Sequence, residues 1–321
     1  MQLKSLKIFC DVVSRRSFSR AADDNGISQS GASQVVHQLE ERLGVKLIDR
    51  SKRPFMLTPE GDTYYEGCRK LVQRYFQLED EVRSLHDEVA GRVVVASIYS
   101  IGLHHMNSYL QQFLAQHPKA NIRLEYLHPQ RVIEAIEKDE ADLGLVSYPR
   151  PSRTIDAVLW QQEPMVLVCS PDHALAEKDS VDLDALDGQS MVCFDSSLQV
   201  RREIDRVLQE NEVEVNVAME FDNIETIKRA VEINAGFSLL PEPTVAREVE
   251  SGSLHKVRLA SCSLTRPIGV VYRRGKHLTG TARIFIESLD IPGLSLDENG
   301  EIEHTRNGSH AERRMTADVR G

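Results

Sequence analysis

The sequence has no long apolar run. No stretch approaches the roughly 20 residues that a bilayer span requires. The N-terminal segment MQLKSLKIFCDVVSRR has neither a continuous apolar core nor a small-residue cleavage site. These absences argue against a membrane span and a secretory signal, and they predict a cytoplasmic protein without a membrane partner. With 321 residues, 41% apolar and 27% charged, the chain is long enough for two or three globular domains.

Cysteine is scarce, and the motifs of common enzymes are missing. No CxxC pair occurs among the five cysteines, which argues against a disulfide framework and a zinc cluster. There is also no P-loop, dinucleotide fingerprint, zincin motif or nucleophile elbow. His104-His105 has no partner at metal-ligand spacing, and Cys193 is interpreted as a buried thiol rather than a nucleophile. The sequence therefore predicts no enzyme, no catalytic residue, no metal and no cofactor.

Charge is distributed unevenly. Residues 1–60 hold ten Lys and Arg against seven Asp and Glu, a net charge of +3, whereas the whole chain carries −10. The remaining residues therefore carry −13. This distribution predicts that the mildly basic residues 1–60 contact phosphate and that the acidic remainder of the chain has a different partner.

The first 60 residues have the pattern of short helices joined by a turn. A helical period over residues 3–13 is followed by a second helix that Ser17 can cap, and Asn25-Gly26 is a turn dipeptide. Ser28 is then a natural N-cap for a third helix, with its apolar stripe on one side. The stretch IDRSKRPFMLTPEG that follows is basic and contains proline, which is typical of a hairpin or wing.

The third helix begins with short, uncharged polar side chains. In a helix–turn–helix, such residues enter the DNA major groove and contact base edges or phosphate, and Gln34 can pair bidentately with adenine. The alternatives are a cap without a DNA contact for Ser28 and a solvated helix face for the others. The predicted DNA-binding residues are Ser28, Gln29, Ser30, Ser33, Gln34, His37, Arg50, Lys52 and Arg53.

The pattern of residues 61–90 predicts a long helix with an apolar seam, a stripe of apolar side chains along one side. Apolar positions step by four and three residues over about three heptads, with charges beside them. Either this seam packs on its own domain or, as we favour, it pairs with a second copy of the chain. The predicted dimer-helix residues are Tyr64, Cys68, Leu71, Tyr75, Leu78, Val82 and Leu85.

From residue 91 the pattern changes to alternating strands and helices. Apolar runs such as VVVASI (93–98) and MVCF (191–194) precede helical segments, which predicts parallel α/β sheets. About 200 residues fit two small α/β lobes better than one large sheet. Residues 291–321 are polar without an apolar period, and we expect them to be disordered.

At this point the sequence resembles a known family. The segment FSRAADDNGISQSGASQVVHQLEERLGVKLIDRSKRPFMLTPEG is similar to the signature of LysR-type transcriptional regulators. The family pattern has Ala-Ala in the second helix, Ser-Gln-x-Ala-Val-Ser opening the third, and a final Leu-Thr-Pro-x-Gly. This chain differs at Gly31, Ala32 and Ile48, and it has Gln34 where Arg is frequent. The resemblance covers about residues 1–290.

The resemblance implies an α+β multidomain architecture. A winged helix-turn-helix domain (1–60) would be followed by a linker helix (61–90) that pairs subunits. An effector domain (91–290) similar to periplasmic binding proteins would have two α/β lobes with a ligand cleft between them. Lobe one would span about 92–162 and 267–290, and lobe two about 163–266.

The resemblance also implies a function and partners. Members bind promoter DNA as dimers or tetramers and respond to a small molecule, and RNA polymerase is a candidate further partner. Strand ends and helix starts face the cleft in such folds, and hydroxyls beside Arg201 would suit a carboxylate, sulfate or other oxyanion. Helix caps without a ligand contact, and an exposed ion pair for Arg201, are the alternatives. The predicted effector-binding residues are Ser100, Ile101, Ser147, Ser196, Ser197, Arg201, Asn223 and Thr226.

The leading hypothesis is therefore a sequence-specific, effector-responsive transcription factor. The alternative is a cytoplasmic small-molecule-binding protein whose N-terminal helices serve only assembly. Effector identity, target promoters, the sign of regulation and the choice between dimer and tetramer do not follow from the sequence.

Overall fold

The computed structural model describes residues 2–52, 54–84, 89, 91–260, 262–276, 278, 280–292, 294–296 and 302–304. The chain divides into two compact units, Met1–Glu88 and Val89–Gly321. Arg53 and Leu85, which the sequence assigned to the wing and to the dimer helix, lie outside the described residues. Within the described ranges, no helix is long and apolar enough to cross a membrane.

The first unit consists of a helical bundle and a small wing. Its helices and strands are α1 (Leu3–Arg15), α2 (Phe18–Asp24), α3 (Gln29–Leu43), β1 (Ile48–Asp49), β2 (Met56–Leu57) and α4 (Pro59–Ser84). The apolar stripes of α1, α2 and α3 meet in one core around Phe9, Ala22 and Val36. The strands β1 and β2 pair antiparallel, as a wing requires.

The turn between α2 and α3 is fixed by a polar network on α1. The Asn25 side-chain amide donates to Asp11 Oδ2 (2.7 Å), and Lys7 Nζ donates to Asn25 Oδ1 (2.8 Å). Gly26 follows with φ +61°, a backbone conformation that glycine adopts without steric cost. The Asn-Gly dipeptide thus sets the direction in which α3 leaves α2.

The motif Leu-Thr-Pro-x-Gly has a physical explanation at the start of α4. The Thr58 hydroxyl donates to the Lys46 carbonyl (2.6 Å) and accepts from the Gly61 N–H (2.9 Å). A Cβ atom on Gly61 would stand only 2.0 Å from the Leu47 carbonyl oxygen, so the first turn of α4 can approach the wing only with glycine here. Pro59 occupies the first helical position, where its missing N–H costs nothing.

The second unit begins with a sheet and its covering helices. The strands β3 (Arg92–Ser97), β4 (Asn121–Tyr126) and β5 (Leu143–Ser147) are parallel, and the helices are α5 (Tyr99–His104), α6 (Met106–Gln116) and α7 (Pro129–Glu137). The long strand β6 (Ile155–Cys169) leaves this sheet for the other half of the unit.

The other half of the second unit contains β7 (Ser180–Val181), β8 (Ser190–Phe194), α8 (Gln199–Glu210), β9 (Asn216–Phe221), α9 (Ile224–Glu232), β10 (Ser238–Pro241), α10 (Ala246–Ser251) and β11 (His255–Leu259). The chain then returns to the first half with β12 (Thr265–Arg273) and α11 (Gly280–Ser288). Short 3₁₀ helices occur at Ala174–Glu177, Leu183–Leu186 and Glu242–Val245. β8 and β9 are parallel.

The prediction of parallel sheets is confirmed for the pairs β3–β4, β3–β5 and β8–β9 and is wrong for the pairs that β12, β10 and β11 form. β12 runs antiparallel to both β5 and β6, and β10 and β11 run antiparallel to β6. The reason is that β6 and β12 are long and pass between the two halves. β12 therefore completes the first sheet by returning from the second half rather than by a helical crossover.

Two hydrophobic cores lie within the second unit. The lobe-one core gathers buried residues between Val93 and Trp160 and again between Ile268 and Ile291. The lobe-two core gathers buried residues between Met165 and Leu264. The first part of β6 belongs to the lobe-one core and its last part to the lobe-two core. β12 contributes to the lobe-one core, while Leu264, directly before it, belongs to the lobe-two core, so the chain passes between the lobes along β6 and at the start of β12.

The predicted disorder after residue 291 is wrong for two short segments. Strands β13 (Leu294–Leu296) and β14 (Ile302–His304) pair antiparallel. Residues 297–301 and 305–321 of the predicted tail lie outside the described residues.

Candidate functional site

The N-terminal end of α3 carries an exposed polar face. Ser28 caps the helix, and its Oγ accepts from the Gly31 N–H (3.1 Å) and lies 3.0 Å from Ser30 Oγ. Gln29 and Gln34 are exposed, while Ala32, Val36 and Leu39 face the core. Ser28 is thus a helix cap, as one of the alternatives predicted. A contact of Ser28 with DNA stays a prediction.

The polar face of α3 continues onto the wing. A single concave surface is lined by Gln29, Ser30, Ser33, Gln34, His37, Glu40, Lys46 and Arg50. Six of the nine predicted DNA-binding residues therefore lie together. Lys52 is exposed in the turn of the wing. His37 is exposed on α3 and lies 3.3 Å from Glu41.

Glu40 holds the wing against α3, a role that is absent from the sequence-based predictions. Its side chain is only 3% exposed, and Oε1 accepts from the backbone N–H groups of Leu47 (2.9 Å) and Ile48 (3.2 Å). Two backbone donors at the start of β1 are satisfied in this way. A glutamate on the inner side of an otherwise apolar stripe was the available signal.

Arg50 is positioned by three neighbours on α2 and α3. Its Nη1 donates to Ser33 Oγ (3.1 Å), and its guanidinium carbon lies 5.1 Å from the centre of the Phe18 ring. Nη2 lies 4.0 Å from Glu40 Oε2, and the side chain remains 45% exposed. The guanidinium is therefore held beside the recognition face with donors still directed to solvent.

The first part of helix α4 packs in the core of the first unit, and its second part is exposed. Cys68 is 3% exposed and belongs to the core of the first unit, so its assignment to a dimer seam is wrong. Tyr64 is half-buried and packs on Phe9 at 5.6 Å between ring centres, and its place in a dimer seam stays a prediction. Farther along, Leu71, Tyr75, Leu78 and Val82 are exposed and keep the spacing of four, three and four residues.

In the second unit the predicted effector residues follow the carboxyl ends of strands. Ser100 follows β3, Ser147 ends β5, and Ser196 and Ser197 follow β8. Asn223 and Thr226 follow β9, where Asn223 Oδ1 accepts from the Thr226 N–H and hydroxyl, both at 2.9 Å. This pair is an N-cap of α9, in agreement with the alternative that no ligand is needed to explain it.

The two lobes face each other at these strand ends. Asp195, after β8, has a pKa below its ordinary value because Ser197 donates two hydrogen bonds to it, with a smaller effect of His128 from lobe one. Tyr148, after β5, adopts φ +53° and donates its N–H to the Pro267 carbonyl (2.8 Å). Burial, with the charge of Glu203 on α8 of lobe two, raises the pKa of Tyr148 to about 12.

The side chains of two predicted effector residues are engaged within their own lobes. Ile101 is fully buried in the lobe-one core, so its side chain serves packing. Arg201 donates to Asp205 (2.7 Å), to the Phe194 carbonyl (2.8 Å) and to Glu220. Two carboxylates within lobe two already neutralise this guanidinium, which contradicts its predicted role as the cation of the effector site.

The structure shows a different buried cation between the lobes. Arg266 on β12 is 2% exposed, and its Nε donates to Glu163 Oε2 on β6 (2.7 Å). Its Nη1 donates to Ser100 Oγ (2.9 Å). Burial alone would raise the pKa of Glu163, but the hydrogen bond from His105 and the charge of Arg266 hold it below its ordinary value.

The histidine pair also has partners that its sequence spacing did not reveal. His105 Nε2 lies 2.5 Å from Glu163 Oε1, and His104 Nε2 lies 3.0 Å from Glu225 Oε1 on α9. Desolvation lowers the pKa of His104. Burial raises the pKa of Cys193 to about 11, so this thiol stays protonated and inert, as interpreted from the sequence.

Comparisons with known proteins cover nearly the whole described chain. Residues 3–62 match the model of the bacterial regulatory helix-turn-helix protein, lysR family, and residues 86–290 match the LysR substrate binding domain. The chain is 31% identical over 280 residues to an uncharacterized HTH-type transcriptional regulator, YfeR, from Shigella flexneri, covering 87% of this chain and 90% of that protein. It is 26% identical to the RuBisCO operon transcriptional regulator of Allochromatium vinosum, covering 89% and 95%.

Solved structures share the fold. Full-length CbnR in complex with its target DNA superposes with a TM-score of 0.67 at 19% identity, covering 90% of this chain and 99% of that one. A mutant of OxyR from Corynebacterium glutamicum superposes with a TM-score of 0.59 at 20% identity, covering 90% and 91%.

Proposed function

This chain belongs to the LysR family of transcriptional regulators, and from that premise we propose which residues carry its two tasks. It is a DNA-binding transcriptional regulator with a domain for a small-molecule effector, and it acts as an oligomer on double-stranded promoter DNA. The family consists of regulators. We propose that this chain has no catalytic activity.

The reading of DNA is assigned to the exposed face of α3 and the wing. The observation that carries this assignment is the single concave surface lined by Gln29, Ser33, Gln34 and Arg50. Short polar side chains at the start of a helix fit the major groove, and Arg50 with Lys52 supplies charge for phosphate. Selection from a randomised duplex pool tests it. We expect an enriched inverted repeat with half-sites about one turn, roughly 34 Å, or a multiple apart.

Gln34→Ala is expected to relax base preference at one position of each half-site. A bidentate amide contact contributes about 1–3 kcal/mol of discrimination against the wrong base. Gel-shift titration against a panel of single-base variants measures it. Gln38→Ala is the matched control, since Gln38 is also exposed on α3 but lies outside the predicted set. If Gln34→Ala discriminates between bases as the wild type does, Gln34 does not read a base.

Lys52→Ala is expected to weaken binding equally on all DNA sequences. Loss of one phosphate contact should lower the slope of log affinity against log salt by about one. Titrations from 50 to 200 mM salt measure this slope. The same substitution at Lys138, an exposed lysine on the second unit, should leave the slope unchanged. A sequence-dependent loss would mean that Lys52 contacts a base rather than the backbone.

Pairing of subunits is assigned to the exposed part of α4. Leu71, Tyr75, Leu78 and Val82 form an apolar stripe at heptad spacing beyond the part of α4 that packs in the first unit. Such a stripe on a helix is typical of a coiled-coil seam, in which a second helix buries it.

Effector binding is assigned to the strand ends between the two lobes, with a ligand that carries an oxyanion group. The supporting observations are the hydroxyls of Ser100 after β3, of Ser147 at the end of β5 and of Ser196 and Ser197 after β8. Ser100 also accepts a hydrogen bond from the buried Arg266. The competing proposal, a small-molecule-binding protein whose N-terminal helices serve only assembly, predicts no DNA binding even at low salt. The pool selection therefore separates the two.

A further inference from the structure

Glu40 is a charged side chain buried beneath the surface that faces DNA. Among the residues that the structure describes in the first unit, it is the only charged one that is buried, and 3% of its side chain is exposed. A carboxylate is buried in a protein only where hydrogen bonds or cations compensate for the loss of water. The partners of Glu40 therefore explain why α3 carries a charge at this position.

The two oxygens of Glu40 have different partners. Oε1 accepts from the backbone N–H groups of Leu47 (2.9 Å) and Ile48 (3.2 Å), where the wing begins. Oε2 lies 3.4 Å from Lys46 Nζ and 4.0 Å from Arg50 Nη2. One oxygen thus fixes the backbone, and the other faces two cations.

The contacts with the backbone do not by themselves require a charge. The amide side chain in Glu40→Gln can accept the same two hydrogen bonds through its carbonyl oxygen. Its NH₂ group would then face Lys46 and Arg50, with donors against donors. The negative charge therefore matters most at Oε2, where it attracts these two cations.

Both cations lie on the surface to which DNA reading is assigned. Lys46 and Arg50 line the concave surface that also includes Gln29, Ser33 and Gln34. The side chain of Lys46 is 70% exposed and that of Arg50 is 45% exposed, so both can meet phosphate while Oε2 faces them from the protein side. Lys46 is not among the DNA-binding residues predicted from the sequence.

We propose that Glu40 is a positioning residue that sets the specificity of DNA binding, and that Lys46 is a further contact to phosphate. The buried carboxylate orients Lys46 and Arg50 and offsets part of their positive charge at the surface that meets DNA. This inference rests on the proposed assignment of DNA reading to α3 and the wing.

Partial neutralisation weakens sequence-independent binding more than base reading. Attraction between basic side chains and phosphate supplies essentially all of non-specific binding. Base reading depends instead on hydrogen bonds between side chains of α3 and base edges, which require correct placement. A carboxylate beside the two cations therefore lowers the affinity for random DNA and preserves discrimination between sequences. Because Glu40 is buried, salt screens its charge less than that of an exposed acid.

Glu40→Gln tests the proposal in the full-length protein. Fluorescence anisotropy measures binding to the duplex enriched in the pool selection and to a random duplex of the same length and composition, at 50 to 200 mM salt. On the random duplex we expect about fivefold tighter binding and a steeper salt slope, by up to about one. The ratio of the two affinities should fall about fivefold, because the enriched duplex gains attraction but loses the alignment of Arg50.

Glu41→Gln is the matched control, since it changes the net charge equally at the next position of α3. Glu41 is 64% exposed and lies beside His37 rather than the wing. We expect almost no change in its affinity for the random duplex. Hydrogen exchange of the Leu47 and Ile48 amides should show retained protection in Glu40→Gln, which reports that the start of the wing is intact.

Lys46→Gln tests the cation without altering the hydrogen bonds between Glu40 and the wing. It should weaken binding to both duplexes and lower the salt slope by up to about one. In the double variant Glu40→Gln/Lys46→Gln, the gain in affinity for random DNA should be much smaller than in Glu40→Gln alone. The reason is that one of the two cations released by loss of the carboxylate is then absent.

The outcomes separate this inference from the function on which it rests. If the wild type does not prefer the enriched duplex, the assignment of DNA reading to α3 and the wing fails, and this inference fails with it. If the wild type has that preference and Glu40→Gln keeps the same specificity and salt slope, Glu40 serves the fold alone.

Three further results would overturn the proposal while DNA reading stands. Equal effects of Glu41→Gln and Glu40→Gln would assign the change to net charge. Unchanged binding of Lys46→Gln to the random duplex would exclude its contact with phosphate. If the Leu47 and Ile48 amides lose protection, the double variant decides, and an effect of Glu40→Gln that is equal with and without Lys46 would assign it to the wing backbone.

Discussion

The double variant Leu71→Asp/Leu78→Asp is expected to be monomeric. Leu71 is 58% exposed and Leu78 is 46% exposed, so neither contributes to the core of the first unit and the fold should persist. In a paired helix these side chains would be buried against their copies, where carboxylates would meet like charge in an apolar seam. Sedimentation equilibrium of the wild type and the variant measures the change in mass.

Loss of pairing should have a large effect on DNA binding. A dimer engages its second half-site at high effective concentration, so avidity exceeds single-site affinity by about 10² to 10⁴. We expect a loss of that order on a duplex with two half-sites and almost none on a single half-site. Ile233→Asp is the matched control because Ile233 is an exposed apolar residue of the second unit. If the double variant has the same mass in solution as the wild type, the exposed stripe of α4 does not pair the subunits.

The DNA-binding unit could be predicted because its signals are local. The cap at Ser28, the Asn25-Gly26 turn and the apolar stripe of α3 each follow from residues a few positions apart. The exposed apolar stripe of α4 was predicted only in part. The spacing of four and three residues is present, but the sequence does not show where the helix leaves the core of the first unit. The same spacing therefore assigns Cys68 to the dimer seam, although Cys68 is buried in that core.

The proposed effector site could be predicted only by its place in the topology. Strand ends and hydroxyls were recognisable, but Arg266, Glu163 and His105 are 103 and 58 residues apart along the chain and meet only in the folded lobe. Nothing near Arg266 in the sequence distinguishes it from an exposed strand arginine. For Arg201 a local signal did exist, since Asp205 follows four residues later on the same helix, at the spacing of an ion pair.

Glu163→Ala is expected to destabilise the second unit strongly. Removing one partner of a buried ion pair leaves an uncompensated charge, which costs about 3–5 kcal/mol. Exposed pairs behave differently, and Glu134→Ala, which removes the partner of the exposed Arg131, should cost less than about 1 kcal/mol. Urea denaturation followed by Trp160 fluorescence reports the second unit alone, since the chain has no other tryptophan.

The pH dependence of this loss separates charge from packing. The pKa of Glu163 is lowered in the folded protein, so its carboxylate stabilises the fold above the ordinary pKa of 4.5, and this stabilisation is lost as pH falls through the folded value. Glu163→Gln keeps the shape and removes only the charge. Its deficit against the wild type should therefore be full at pH 7 and shrink below about pH 4.5, as the wild type becomes protonated. If the loss of stability in Glu163→Gln does not depend on pH, the effect is one of packing. If Glu163→Ala loses no more stability than Glu134→Ala, the Arg266–Glu163 pair does not hold the two lobes together.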